Sequence, residues 1–122
     1  MASILIVEDE PQVLVLAESV LGEAGYQTMS ASTVAEAQSI IHSTQVLDLV
    51  FTDVGLANHP EGGITIGQLV DQHRPETPVL YTSGRPVTDG MRSLFAKRSS
   101  FLPKPYTAQN LTDEIAKLLR AG

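Results

Sequence analysis

The sequence predicts an α/β fold, a doubly wound parallel sheet of five strands with helices on both faces. Three observations predict it. Short apolar runs alternate with segments of helical periodicity five times along the chain, the pattern of a sheet wound by crossover helices. The runs are rich in β-branched and aliphatic residues and are too short for helices, as buried strands are. The length, 122 residues, suits one compact domain filling 1–122 and leaves no room for a second.

The first strand is Ser3-Ile4-Leu5-Ile6-Val7, and it ends in the acids Glu8-Asp9-Glu10. Pro11 suits the first turn of the helix that follows, where its missing N–H costs nothing. Leu14, Ala17, Leu21 and Ala24 form the core-facing stripe, and Gly25 is the stop. Acids at this helix start also complement its dipole, a structural role that competes with any functional one. Tyr26 to Ala31 reads as a weaker second strand. Thr33 with Glu36 is a capping-box pattern for a helix carrying Val34, Ala37 and Ile41.

Leu49-Val50-Phe51-Thr52-Asp53 is the central strand, an apolar run that stops abruptly at a carboxylate. A long loop with Asn58, Pro60, Gly62 and Gly63 leads to a helix over 64–73, closed by the Arg74-Pro75 step. The fourth strand, Pro78 to Thr82, ends in Ser83-Gly84, and a short helix is expected from about Thr88 to Lys97. Ser100-Phe101-Leu102 is a brief edge strand beside Pro103. The last helix runs from about Ala108 to Arg120 and buries Leu111, Ile115 and Leu118.

Composition narrows the function classes. The chain has no cysteine, so disulfides and thiolate metal sites are excluded. No apolar run approaches the roughly 20 residues of a membrane span, and the start lacks the pattern of a signal peptide, so a cytoplasmic protein with no membrane partner is expected. The net charge of −6 argues against direct nucleic-acid binding. That charge is uneven: all ten acids before residue 74 stand without a single Lys or Arg, whereas four acids face eight bases from Arg74 onward. The three histidines have no i, i+4 pairing and read as scattered surface residues rather than a zinc site.

A parallel sheet places its strand ends on one rim, where ligands and chemistry gather. Here that rim would collect Glu8 and Asp9 from strand one, Asp53 from strand three, Ser83 from strand four and Lys104 beyond strand five. Carboxylates about 5 Å apart repel by roughly 3 kcal/mol per pair at an effective dielectric near 20. Such a cluster calls for a cation, and with oxygen ligands Mg²⁺ is the physical choice. With Lys104 and a hydroxyl nearby, the set can hold a phosphoryl group on a carboxylate nucleophile.

The run Ile4-Leu5-Ile6-Val7-Glu8-Asp9-Glu10, Asp53 after an apolar strand, Ser83-Gly84, and Phe101 three residues ahead of Lys104-Pro105 together resemble the receiver domain of two-component response regulators. The resemblance spans essentially the whole chain. It implies a flavodoxin-like sheet of strand order 2-1-3-4-5. It further implies that Asp53 accepts phosphate from a histidine kinase or histidine phosphotransfer protein. Asp9, Asp53 and the Gly55 carbonyl would ligate Mg²⁺, with Glu8 acting partly through water. Lys104 would pair with phosphoryl oxygens, Ser83 would close onto them, and Phe101 would change rotamer. A cis Lys104–Pro105 bond is expected on the same ground, and from the small cis penalty of an X-Pro bond.

Two positions depart from the family pattern. Receivers commonly carry a proline four residues past the phosphoacceptor, where this chain has Ala57, with Pro60 arriving late in a lengthened loop. Arg85 stands two residues past Ser83, at a position that in this family influences dephosphorylation. The expected protein is thus a signalling phosphoacceptor with no attached output domain, reaching an unknown downstream protein through a surface near Arg92, Lys97 and Arg98. The alternative origin is a receiver excised from a larger regulator or hybrid kinase. A phosphohydrolase of the haloacid dehalogenase type would need a second acid where Gly55 stands, and the same glycine disfavours an Asp-x-Asp nuclease site. A non-phosphorylated scaffold is disfavoured by the complete acceptor set.

Overall fold

Five parallel strands, β1 (Ser3–Val7), β2 (Gln27–Ala31), β3 (Leu49–Asp53), β4 (Val79–Ser83) and β5 (Ser99–Pro103), lie in the order β2-β1-β3-β4-β5. The computed structural model describes residues 1–121. The connecting helices are α1 (Pro11–Glu23), α2 (Val34–Ile41), α3 (Gly62–His73), α4 (Asp89–Arg92) and α5 (Ala108–Arg120). Fold class and strand order are those expected.

Side chains alternate across each strand, so every buried strand feeds two cores. Leu5, Val7, Val50 and Tyr81 pack against Ala37 and Ile41 of α2 and Ile64, Ile66 and Val70 of α3. Ile4, Ile6, Phe51 and Leu80 pack on the other face against Ala17 and Leu21 of α1 and Leu111 and Ile115 of α5. Register then fixes the rim. Val7 is paired with Thr52, Asp53 with Thr82, and Ser83 with Pro103, so the strand ends finish at one level.

Local signals place the helix ends. Pro11 opens α1, and Gly25 follows its end at φ +96, a conformation that favours glycine. The Thr33 hydroxyl accepts the Glu36 N–H, but Glu36 reaches back to Ser32, accepting its N–H at 2.7 Å and its hydroxyl at 2.8 Å. The expected capping box is therefore displaced by one residue. Donation from Ser32 holds the Glu36 carboxyl below its ordinary pKa. A full capping box, Thr107 with Asn110, starts α5. The acids ahead of α1 do not cap it: Glu10 occupies the cap position without a side-chain bond, and no acid lies in the first turn.

The fourth helix is a correction. It was expected to run to Lys97, yet it is four residues long and buries none of them. Gly90 weakens it from within. Its continuation also tightens and then loses two N–H groups to tertiary partners. Leu94 and Phe95 donate only to the third residue back, the Ala96 N–H turns to the Tyr81 hydroxyl at 2.8 Å, and the Lys97 N–H turns to Asp71.

Candidate functional site

At the rim, Glu8, Asp9 and Asp53 each present a carboxylate oxygen, and the three atoms lie within 4.8 Å of one another. Glu8 and Asp53 are buried, and Asp9 is half-exposed. The Lys104 ammonium offsets the repulsion this creates. It donates to Asp53 Oδ2 at 2.8 Å and to Glu8 Oε1 at 3.0 Å. To do so the lysine stem, rising just past β5, reaches over β4 to the end of β3. The Lys104–Pro105 peptide is cis.

These charges shift one another. Burial pushes the Glu8 carboxyl above its usual range, and Asp53 adds to this, while Lys104 and the Glu10 N–H pull the other way. Burial would lower the Lys104 ammonium, but its bonds to Asp53 and Glu8 outweigh that and hold it well above an ordinary lysine. The pocket is thus a cation clamped between two buried acids, with a third acid at its mouth.

Backbone packing under Asp53 is tight. An added Cβ at Gly63 would lie 2.1 Å from the Asp53 carbonyl oxygen, so only glycine lets α3 begin so close to the end of β3. The Gly63 N–H donates to Val54 O at 2.8 Å. Between them the loop closes on itself: Leu56 and His59 exchange two backbone bonds of 2.9 and 3.0 Å, and Asn58 turns the corner at φ 63. Gly55, half-buried, lies in the stretch joining Asp53 to that turn.

At the position of the family's proline, the Ala57 N–H donates to Asp9 Oδ2 at 2.8 Å. A proline has no N–H and would abolish this bond. The departure seen in the sequence therefore has a structural counterpart, a loop tied directly to one of the three acids.

Glu8, Asp9, Asp53 and Lys104 come together, but Ser83 and Phe101 stand apart from them. The Ser83 hydroxyl donates to Arg85 O at 3.0 Å and accepts the Arg85 N–H at 3.1 Å, so it is folded onto its own loop. Arg85 itself is exposed. Phe101, half-buried, lies on the α3 and α4 face. It ends a stack in which Tyr81 and Phe95 have centroids 3.9 Å apart and Phe95 and Phe101 6.4 Å apart. The Arg92 guanidinium covers the Phe101 ring at 5.0 Å. Of the other two bases, Arg98 bonds the Glu76 carbonyl and Lys97 is exposed.

Several features escaped sequence reasoning. Tyr106 lies in the field of the pocket. Burial raises its hydroxyl pKa, Lys104 opposes this, and Glu8 and Asp53 add to it. Thr82, the register partner of Asp53, has a buried hydroxyl with no hydrogen-bond partner among the described residues. Position in a strand end signals neither, since each depends on what the neighbouring strand brings. The histidines also need correction: His42 and His73 are not scattered but meet ring to ring at 4.1 Å.

The profile of the response regulator receiver domain matches residues 4–116. The chain belongs to the response regulator receiver family. It is 35% identical over 118 residues to the response regulator protein PilR of Pseudomonas aeruginosa, covering 95% of this chain and 26% of that protein. It is 32% identical over 122 residues to the transcriptional activator protein IrlR of Burkholderia pseudomallei, covering 98% of this chain and 51% of that protein. The chain thus spans a quarter to a half of these curated relatives. Among solved structures, a response regulator receiver protein from Sinorhizobium medicae superposes with a TM-score of 0.90 at 29% identity, covering 98% of this chain and 95% of that one. Three carboxylates gathered within ligand reach of one another are the donor set that a hard divalent cation takes, and receivers typically use Mg²⁺. Among the described residues, no helix is long and apolar enough to cross a membrane.

Proposed function

We propose that residues 1–122 act as one receiver unit in which Asp53 accepts a phosphoryl group from the phosphohistidine of a sensor kinase or histidine phosphotransfer protein. The observation that carries this reading is the Lys104 ammonium bound to both Asp53 and Glu8 at the end of the central strand. An Asp53 oxygen attacks phosphorus, the O–P bond forms as the N–P bond breaks, and the imidazole leaves with its electron pair. Asp53, Asp9 and the Gly55 carbonyl would hold Mg²⁺, with Glu8 assisting. When bound, that ion offsets the negative charge of the phosphoryl oxygens. Lys104 is already in place to follow those oxygens, because its present partner is the acceptor itself.

The output reading rests on Ser83 and Phe101. For Ser83 to reach a phosphoryl group it must leave both bonds to Arg85, and the loop carrying Gly84 and Arg85 moves with it. Phe101 would then turn inward, away from Arg92. A full switch from 1:99 to 99:1 needs roughly 5.5 kcal/mol of differential interaction. Charge-assisted contacts from Ser83 and Lys104 contribute a few kcal/mol, so a partial shift is expected. A downstream protein would read the altered α4, β5 and α5 surface, in the cytoplasm and without direct nucleic-acid contact.

The test is incubation with Mg²⁺ and acetyl phosphate, followed by intact-mass analysis. A single stable phosphate gain that disappears in Asp53→Asn supports the assignment. Continuous phosphate release without adduct would mean a hydrolase instead, and undiminished labelling of the variant would sink the Asp53 role.

A further inference from the structure

We propose that His42 and His73 form a binding site for a transition-metal ion of the Zn²⁺, Ni²⁺ or Cu²⁺ class, at the C-terminal ends of α2 and α3 and separate from the acidic pocket. The two rings are 4.1 Å apart, centre to centre, at an interplanar angle of 62°, and both residues are exposed. Nothing in the chain's linear spacing pairs them. They meet because α2 and α3 pack side by side and end at the same level.

The backbones that carry the two rings are held in place. Arg74, the residue after His73, donates from Nε to Ile41 O at 2.9 Å and from Nη2 to Ser43 O at 2.7 Å, the carbonyls flanking His42. The helix ends are therefore tied together directly beneath the imidazoles. The rings border an open cleft of about 530 Å³ that is also lined by Ser43, Thr44 and Arg74. Two imidazoles sharing one Zn²⁺, each nitrogen about 2.0–2.1 Å from the ion, have ring centres roughly 5 Å apart. A small outward rotation of two exposed side chains supplies that separation, and water completes the coordination shell.

Ligand chemistry separates this site from the acidic one. Imidazole nitrogen suits Zn²⁺, Ni²⁺ and Cu²⁺, whereas carboxylate and carbonyl oxygens suit Mg²⁺. The converging helix C-termini bring partial negative charge that favours a cation. The neighbouring Arg74 guanidinium opposes it, which makes this a modest-affinity site. A bound ion would bridge α2 to α3 where Arg74 already does.

Titration of the protein with ZnCl₂ in excess Mg²⁺, followed through the imidazole carbon-bound protons, tests the proposal. The expected result is one Zn²⁺ that shifts the His42 and His73 ring signals together and leaves His59 in place. His42→Gln and His73→Gln, both with unchanged amide spectra, should each weaken binding by at least about tenfold, since even loss of an outer-shell partner costs that much. His59→Gln should bind as the parent does, and acidification should release the metal because a protonated imidazole offers no lone pair. Parent-like affinity in either His42→Gln or His73→Gln, or movement of one ring alone, would overturn the site.

Discussion

α3 and α4 lie over the same face of the sheet, yet they are held by different means. α3 places Ile64, Ile66 and Val70 in the core and drives three glycines against neighbouring elements, with no room for a Cβ at Gly63 or Gly67. α4 buries no residue. Its segment reaches the core only through Ala96 and the partly buried Met91 and Phe95, and is otherwise retained by the Tyr81 bond to Ala96, the Asp71 bonds to Lys97, and the aromatic stack that ends under Arg92. Apolar packing spread over a helix resists displacement as a whole, whereas a few directional contacts can be exchanged one at a time. The region proposed to signal is therefore the one whose attachment is discrete.

That contrast can be broken by measurement. Ile66→Ala, a truncation in the fully buried face of α3, should cost about 2–5 kcal/mol in urea unfolding. A loss comparable to those at α4 would erase the distinction. Tyr81→Phe leaves the Ala96 N–H without its acceptor and should cost about 1–3 kcal/mol, with amide exchange accelerating first at residues 93–97. The same hydroxyl supplies a pH test. Burial raises its pKa to about 12, so its contribution to stability is present below the ordinary value of about 10 and is lost as pH rises through 12. Absorbance titration should accordingly show a late-ionising tyrosine that is missing from Tyr81→Phe, together with a fall in alkaline stability.

Smaller effects sharpen the comparison. Thr82→Val removes a buried hydroxyl that has no partner and should stabilise the protein by about 1 kcal/mol. A loss instead would mean that this hydroxyl is used. Arg92→Ala should cost no more than about 0.5–1 kcal/mol, the range of an exposed cation–π contact. Its diagnostic readout is the Phe101 ring, whose proton signals should shift and broaden while those of α3 stay fixed. A silent ring would show that Arg92 does not restrain it.

Strand runs and rim acids were legible because both are local. Leu49 to Phe51 cannot be exposed, and a carboxylate two residues past such a run belongs at the end of the strand. Gly25, Pro11 and the Arg74-Pro75 step likewise act through their own backbones. What was not legible depends on partners distant in sequence. The shortness of α4 follows from Tyr81 and Asp71 competing for its N–H groups, and nothing between residues 88 and 97 announces that competition. His42 and His73 meet through helix packing. The Ser83 hydroxyl is bound to Arg85, although strand order alone would aim it at the pocket.

The bond from Ala57 to Asp9 has a consequence for how the protein tolerates change. Its donor belongs to the main chain, so side-chain replacement at position 57 leaves it intact, and proline alone among the standard residues deletes it. An alanine scan of the loop would pass over the contact without registering it. Random substitution would also preserve it in nearly every variant. At position 57 the tie between loop and acid is thus close to invisible to mutational drift, and the one replacement there that severs it is the residue receivers commonly carry.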